Sequence, residues 1–131
     1  MSKPRNVRQS SRNELGAEGE RRAAAHLMRR GYRIVAHNVR AGGIEMDLIA
    51  RRGSLVVFVE VKTRRSHGFG RPEDAVDSHK RARLIRGAAA WLHENRRGIR
   101  RTRFDVIACE CRADERDWQL RHLKGAFDAN G

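Results

Sequence analysis

Glu60-Val61-Lys62 closes a run of β-branched and aromatic residues from Val56 to Val61, and a second apolar run just upstream carries Glu45 and Asp47. Charge at the ends of otherwise apolar strands calls for a metal, a partner or a reaction, because an ionised group buried unpaired is costly. Asp47, Glu60 and Lys62 together meet the needs of metal-assisted phosphodiester hydrolysis. The two acids would hold Mg²⁺ or Mn²⁺, and the lysine would orient or deprotonate the attacking water. Val61, its side chain turned to the other face, offers a carbonyl oxygen as a further hard ligand. Glu45 and Glu20 follow as candidates for a further metal or for positioning Lys62.

The strands that must present these groups can be read from alternation. Between Ile44 and Ala50, Ile44, Met46, Leu48 and Ala50 are expected to face one way and Glu45, Asp47 and Ile49 the other. Leu55 to Lys62 is apolar on both faces until its end, the pattern of a central strand covered on two sides. Gly53-Ser54 reads as a two-residue hairpin turn. Arg52 then pairs with Leu55, and counting outward sets Asp47 opposite Glu60 and Glu45 opposite Lys62, all on one face. Opposed residues have Cβ atoms roughly 4.5 to 5.5 Å apart, within reach of one shared divalent cation. A one-residue slip would move Asp47 to the other face.

The remaining elements frame that hairpin. Ser11 or Asn13 can cap a helix running to about Arg30, with Leu15, Gly19, Ala23 and Leu27 on one stripe, Glu20 at its border and Gly31 as the stop. Tyr32 to Val39 reads as a strand. Thr63 to Pro72 reads as a basic, mobile loop beside the carboxylates. Asp77 or Ser78 can cap a helix to about Asn95, burying Leu84, Ile85, Ala88, Ala89 and Leu92. Arg96 to Arg103 follows as a linker, Phe104 to Cys111 as a fourth strand and Trp118 to Leu123 as a fifth. This order implies an α/β domain with a mixed sheet between helices.

At 131 residues the chain forms one domain. Its net charge of +13, carried mostly by arginine, favours a polyanionic partner, nucleic acid first. Aromatic residues, at 5%, are too few for a single-strand binder that works by stacking bases on exposed rings. Cys109 and Cys111 lie two apart in one strand, point to one face and do not bridge. They lack the further ligands of a closed zinc site, and a reducing cytoplasm suits them. Met1 to Arg12 is polar and basic, with no apolar segment of a signal peptide, and reads as a disordered tail. No apolar run approaches the roughly 20 residues of a membrane span.

Plainer readings stand beside the chemical one. Glu60 and Lys62 also fit a solvated strand end, and Glu45 with Lys62 an ordinary cross-strand ion pair. The converging Asp47 is what sets the hydrolytic reading level with that one. His26, His37, His67, His79, His93 and His122 are scattered without ligand spacing and read as structural or surface groups. Asp105 reads as a buried partner for an arginine. Arg64 and Arg65, directly after the lysine, are the first candidates for clamping phosphate, with Arg40 and Lys80 as further nucleic-acid contacts.

Several segments together carry a family resemblance: Gly16-Ala17-Glu18-Gly19-Glu20, Tyr32 to Arg40 with its Asn38-Val39-Arg40, Glu45-Met46-Asp47-Leu48-Ile49-Ala50, Phe58-Val59-Glu60-Val61-Lys62-Thr63-Arg64, Arg103-Phe104-Asp105-Val106 and Ala126-Phe127. From Gly16 nearly to Phe127 the chain resembles the YraN family, uncharacterised bacterial proteins with a restriction-endonuclease-like fold, related to archaeal Holliday junction resolvases. The resemblance implies Asp47 as the first acid of the nuclease motif, Glu60 and Lys62 as its E-x-K, and Glu20 as the helical acid. One departure is Ile44, where the family usually has glycine and where a branched side chain is expected to crowd the backbone.

The expectation is a Mg²⁺- or Mn²⁺-dependent nuclease acting on DNA, structured or branched, with residues 13–128 as its domain and 129–131 as a short tail. A two-fold homodimer would fit a symmetric junction. A nucleic-acid-binding module on the same fold, which does not cut, is the alternative from another class. RNA as substrate is a third, since basic charge reads backbone.

Overall fold

An 11-residue strand, Leu55–Arg65 (β3), is buried from Leu55 through Val61 and needs cover on both faces. The computed structural model, which describes residues 7–65, 78–112 and 116–128, gives it that cover. Helix Val7–Arg29 (α1) leads into strands Arg33–Ala41 (β1) and Ile44–Arg52 (β2), then β3. Helix Ser78–Glu94 (α2) crosses to Arg101–Cys111 (β4), and Trp118–Phe127 (β5) ends the sheet. The five strands lie in the order β1-β2-β3-β4-β5, so β3 is central. Only the β3–β4 pair is parallel, the one pair joined through a helix, which makes the sheet mixed and the domain α/β as expected.

Each helix covers one face. Ala23 and Leu27 of α1 pack with Leu48, Val57, Val59 and Ile107, while Leu84 and Ala88 of α2 pack with Met46, Phe58, Phe104 and Val106. The Gly19, Ala23 and Leu27 stripe of α1 is buried as the spacing predicts. Gly31, with φ 87°, ends the helix. On α2, Gly87 is buried where Ala89 was expected and Ala89 faces solvent. A Cβ on Gly87 would lie 3.0 Å from Ile44 Cβ, so the space Ile44 takes up is the space this glycine leaves. The crowding expected at Ile44 is thereby relieved from the helix side.

Several boundaries differ from the periodicity. Helix α1 begins at Val7, ahead of the Ser11 or Asn13 cap, so the stretch expected to be a disordered tail is helical from residue 7. Strand β3 continues through Arg65, β4 starts at Arg101 and β5 runs to Phe127. Thr63, Arg64 and Arg65 are therefore strand rather than loop. The rest of the expected basic loop, and the Asp77 cap, lie outside the described residues.

The Gly53-Ser54 turn forms, and its first rung is Arg52 opposite Leu55. The β2–β3 ladder then runs as far as Leu48 opposite Val59. There the expected alternation fails. Ile44 and Met46 pack toward α2, but Leu48 and Ala50 pack toward α1, so β2 changes face at Asp47. Across the β1–β2 pair, Asn38 has φ 48°, the one left-handed non-glycine among the described residues.

Asp105 is buried and paired with an arginine, as the sequence suggests. It accepts two bonds from Arg103 at 2.8 Å, one from His122 Nε2 at 2.7 Å and one from the Gly125 N–H at 3.0 Å. Although burial works against its charge, the hydrogen bonds from His122 and Arg103 hold its pKa below the ordinary value. His26 meets the other nitrogen of His122 at 3.1 Å and is pushed down to about 4, by burial first and by Arg30 next. These two histidines belong to the packing of β4 and β5 against α1. Cys109 and Cys111 are buried free thiols, and burial pushes Cys109 up to about 12.

Helix α1 approaches the sheet most closely at Gly19. A Cβ there would clash with the Thr63 side chain, and the Gly19 carbonyl accepts the Cys109 thiol at 3.5 Å. Gly16, one turn earlier, has open space. By helix propensity alone either change to alanine would add roughly 0.5–1 kcal/mol of stability. Urea unfolding should show that gain for Gly16→Ala and a loss of about 1–3 kcal/mol for Gly19→Ala, since overpacking outweighs propensity. A gain at both positions would refute the close approach.

Candidate active site

Where the β2–β3 ladder stops, a side chain takes over its hydrogen bond. The Val61 N–H donates to Asp47 Oδ2 at 2.9 Å, so the carboxylate lies in the gap between the two strands. In an extended strand the N–H and C=O of one residue leave on the same side. The Val61 carbonyl is thus directed to the same gap. Glu60, 6% exposed, projects from β3 toward α2, and Lys80 in the first turn of that helix meets its Oε1 at 2.5 Å. Lys62, two residues along the same strand face, lies 3.5 Å from the same oxygen. Glu20 enters from α1 and accepts a hydrogen bond from Asn38 Nδ2 at 3.1 Å.

These groups strain one another electrostatically. Asp47 is pushed up to about 7, by burial first and by the Glu60 charge second, with Glu20 adding and the Val61 N–H and Lys80 opposing. Burial also drives Lys62 below its ordinary value, helped by Lys80 beside it and resisted by Glu60. Burial works against the Lys80 charge as well, but hydrogen bonds to Glu60 and Lys62 hold its pKa up. The two lysines divide the work: Lys80 is the committed cation on Glu60, and Lys62 is the one brought closer to neutrality.

Among the described residues no three His, Cys, Asp or Glu side chains form a ready metal cluster. The donors that converge are the Asp47 and Glu60 carboxylates and the direction of the Val61 carbonyl. Few hard oxygens with room for water are what Mg²⁺ takes from proteins, so this donor set fits it better than a metal that wants a full protein cage.

The other expected residues fall in different places. Glu45 is exposed opposite Arg40 in the β1–β2 ladder, because β2 changes face at Asp47 and carries Glu45 away from Lys62. Arg40 is likewise an exposed β1 residue. Arg64 continues the Glu60 and Lys62 face of β3, whereas Arg65 turns to the α1 side and lines a groove with Arg22 and Trp118. Asn38 was singled out for no role. The available signal was its residue type, since asparagine tolerates positive φ better than most and here aims its amide at Glu20.

The raised value of Asp47 has a sign that can be checked. A carboxylate whose folded pKa lies above its unfolded value contributes stability that is complete at low pH and lost as pH rises through about 7. In the presence of a chelator, Asp47→Asn removes that loss while its amide oxygen can still accept from Val61. Thermal melts should show the variant gaining on the wild type by a few degrees between pH 5 and pH 8. A difference that does not change with pH would contradict the crowding of Asp47 and Glu60.

Comparison with known proteins gives these positions a family. Residues 19–109 match the model of the uncharacterised protein family UPF0102. A UPF0102 protein of Nitratidesulfovibrio vulgaris is 46% identical over 118 residues, covering 90% of this chain and 87% of its own. One from Syntrophotalea carbinolica is 42% identical over 120 residues, covering 92% and 96%. UPF0102 protein GSU0650 of Geobacter sulfurreducens is 43% identical over 116 residues, covering 87% and 88%. The matched segment spans Gly19, Glu20, Asn38, Asp47, Glu60, Lys62 and Lys80, and the chain belongs to the UPF0102, YraN-like, family.

Proposed function

We propose that this protein is a Mg²⁺- or Mn²⁺-dependent nuclease that hydrolyses phosphodiester bonds in DNA, structured or branched DNA first, on a restriction-endonuclease-like fold. The observation that carries the reading is the pair of crowded carboxylates, Asp47 and Glu60, at the end of the central hairpin, with two lysines meeting one oxygen of Glu60. A bound cation supplies neutralisation of the charge that develops on the scissile phosphate. Asp47, Glu60 and the Val61 carbonyl would hold it. Lys62, brought toward neutrality by burial, orients the attacking water and takes its proton. Lys80, paired with Glu60 here, would lend its charge to the phosphate once that carboxylate held a cation. Arg64, on the same strand face, adds a backbone contact, and Arg40 and Arg65 serve outlying phosphates.

The net charge of +13 supports a nucleic-acid substrate without choosing its sugar. A symmetric junction would be served by a two-fold homodimer. No described helix is long and apolar enough to cross a membrane, and two buried thiols agree with a reducing compartment such as the cytoplasm. One observation favours a second reading. Lys80 already neutralises Glu60, as it would in a binding module that engages nucleic acid and never loads a metal.

Linear, nicked and four-way DNA, with RNA of matched shape, incubated with the protein in Mg²⁺ or Mn²⁺ separates the two. Cleavage should appear with branched DNA and fall by about 10²–10⁴-fold in Lys62→Ala, the range typical of losing a general base. It should vanish in Asp47→Ala. No cleavage of any substrate, or equal cleavage by Asp47→Ala, would leave the binding module as the function.

A further inference from the structure

Between α1 and the sheet, lined by Glu20 and by Leu48, the residue after Asp47, a groove of about 390 Å³ opens, at the small end of the range for small-molecule pockets. Its lining is mainly apolar, with Ala24 and Met28 from the helix and Ile34 and Leu48 from the sheet, while Arg21 and His37 add one polar side chain from each. One end is polar, formed by Glu20 and Asn38. Met28, at 55% exposure, is the exposed large hydrophobic residue among those described. That combination, an apolar slot closed by a hydrogen-bonding edge, matches a planar ring with apolar faces and a polar rim.

We propose that this groove receives an unpaired nucleobase of the nucleic acid held at the Asp47 and Glu60 site. The inference rests on the nucleic-acid reading of that site and names a feature of the substrate. Three observations converge on it. Glu20 belongs to both places, lining the groove while its charge is felt by Asp47, so a nucleotide whose phosphate lies at the carboxylates has its base at the groove mouth. The carboxylate of Glu20 accepts and the amide of Asn38 both donates and accepts, the mixture that reads a base edge. Asn38 sits at φ 48°, a conformation asparagine tolerates better than most residues, and from there its amide reaches Glu20.

Apolar contact with a base also answers a compositional puzzle. A basic protein with few aromatic rings has little means of gripping bases on an open surface. A slot of aliphatic side chains grips a base by enclosing it, which works for a nucleotide already out of the stack and against one still paired. Preference for branch points, nicks or bulges over continuous duplex then follows from the groove rather than from the reacting groups.

The experiment uses the full chain in EDTA, so that no cleavage enters, with a DNA duplex carrying 2-aminopurine either unpaired in a bulge or paired. The unpaired probe should change fluorescence several-fold on binding and the paired probe should not. Ala17→Leu, at an exposed position lining the groove, and Ala24→Leu, deeper on the same helix face, should each abolish that change. Their binding to fully paired duplex, read by anisotropy, should stay within about twofold of wild type, since phosphate contacts carry it. Equal responses from the two probes, or a full response in both variants, would overturn the proposal even if the protein cuts DNA. So would conversion of a dimer to a monomer by Ala17→Leu, which would assign the groove to a second copy. A specific response in a protein that never cleaves would leave the groove standing and remove the nuclease reading alone.

Discussion

The structure turns on one hydrogen bond, from the Val61 N–H to the Asp47 carboxylate. It replaces a rung of the ladder between the two strands at the heart of the sheet. A carboxylate in that place must be partly buried and must lie next to Glu60, the adjacent residue on β3. Burial there and the neighbouring Glu60 charge destabilise its charge even though the Val61 N–H favours it, and Asp47 is pushed up to about 7. β2 accommodates the bond by changing face. That switch sends Met46 to the α2 core and Leu48 to the α1 core, so one strand ties both helices to the site.

Each helix answers the crowding with one charged group. α2 brings Lys80 to Glu60 in its first turn, and α1 brings Glu20 to the gap through its close seat at Gly19 on Thr63. Glu20 adds negative charge where two acids already repel, an arrangement that costs stability unless something positive is to occupy the place. Lys80 supplies part of that charge, and burial holds the pKa of Lys62 beside it below the ordinary value. Sites with groups pushed apart in this way are where acid–base work is found.

Local chemistry was legible in the sequence, and substitution of one kind of bond for another was not. Gly53-Ser54 announces its turn, and the turn fixes the rungs as far as Leu48 and Val59. Beyond that point a side chain bonds to the backbone, which a period-two count cannot represent, and Glu45 was carried with Asp47 to a face it does not share. Arg64 and Arg65 look equivalent after Lys62 until the strand is seen to continue through them and separate them. Lys80 reads from the sequence as a nucleic-acid contact, and only the crossover of α2 seats it on Glu60. The fifth strand was legible to Leu123. Lys124-Gly125 resembles its end, yet Gly125, at φ 60°, donates its N–H to Asp105 and the strand goes on to Phe127.

We propose that Asp47 and Glu60 together can hold a divalent cation, in competition with Lys80 on Glu60. Crystals grown or soaked with Mn²⁺ and measured at the manganese absorption edge address that claim most directly. The expected result is an anomalous peak between the two carboxylates and the Val61 carbonyl, with the Lys80 ammonium moved off Glu60. A map with no peak there and Lys80 still bonded to Glu60, at Mn²⁺ concentrations well above those that support catalysis in metal-dependent nucleases, would contradict it.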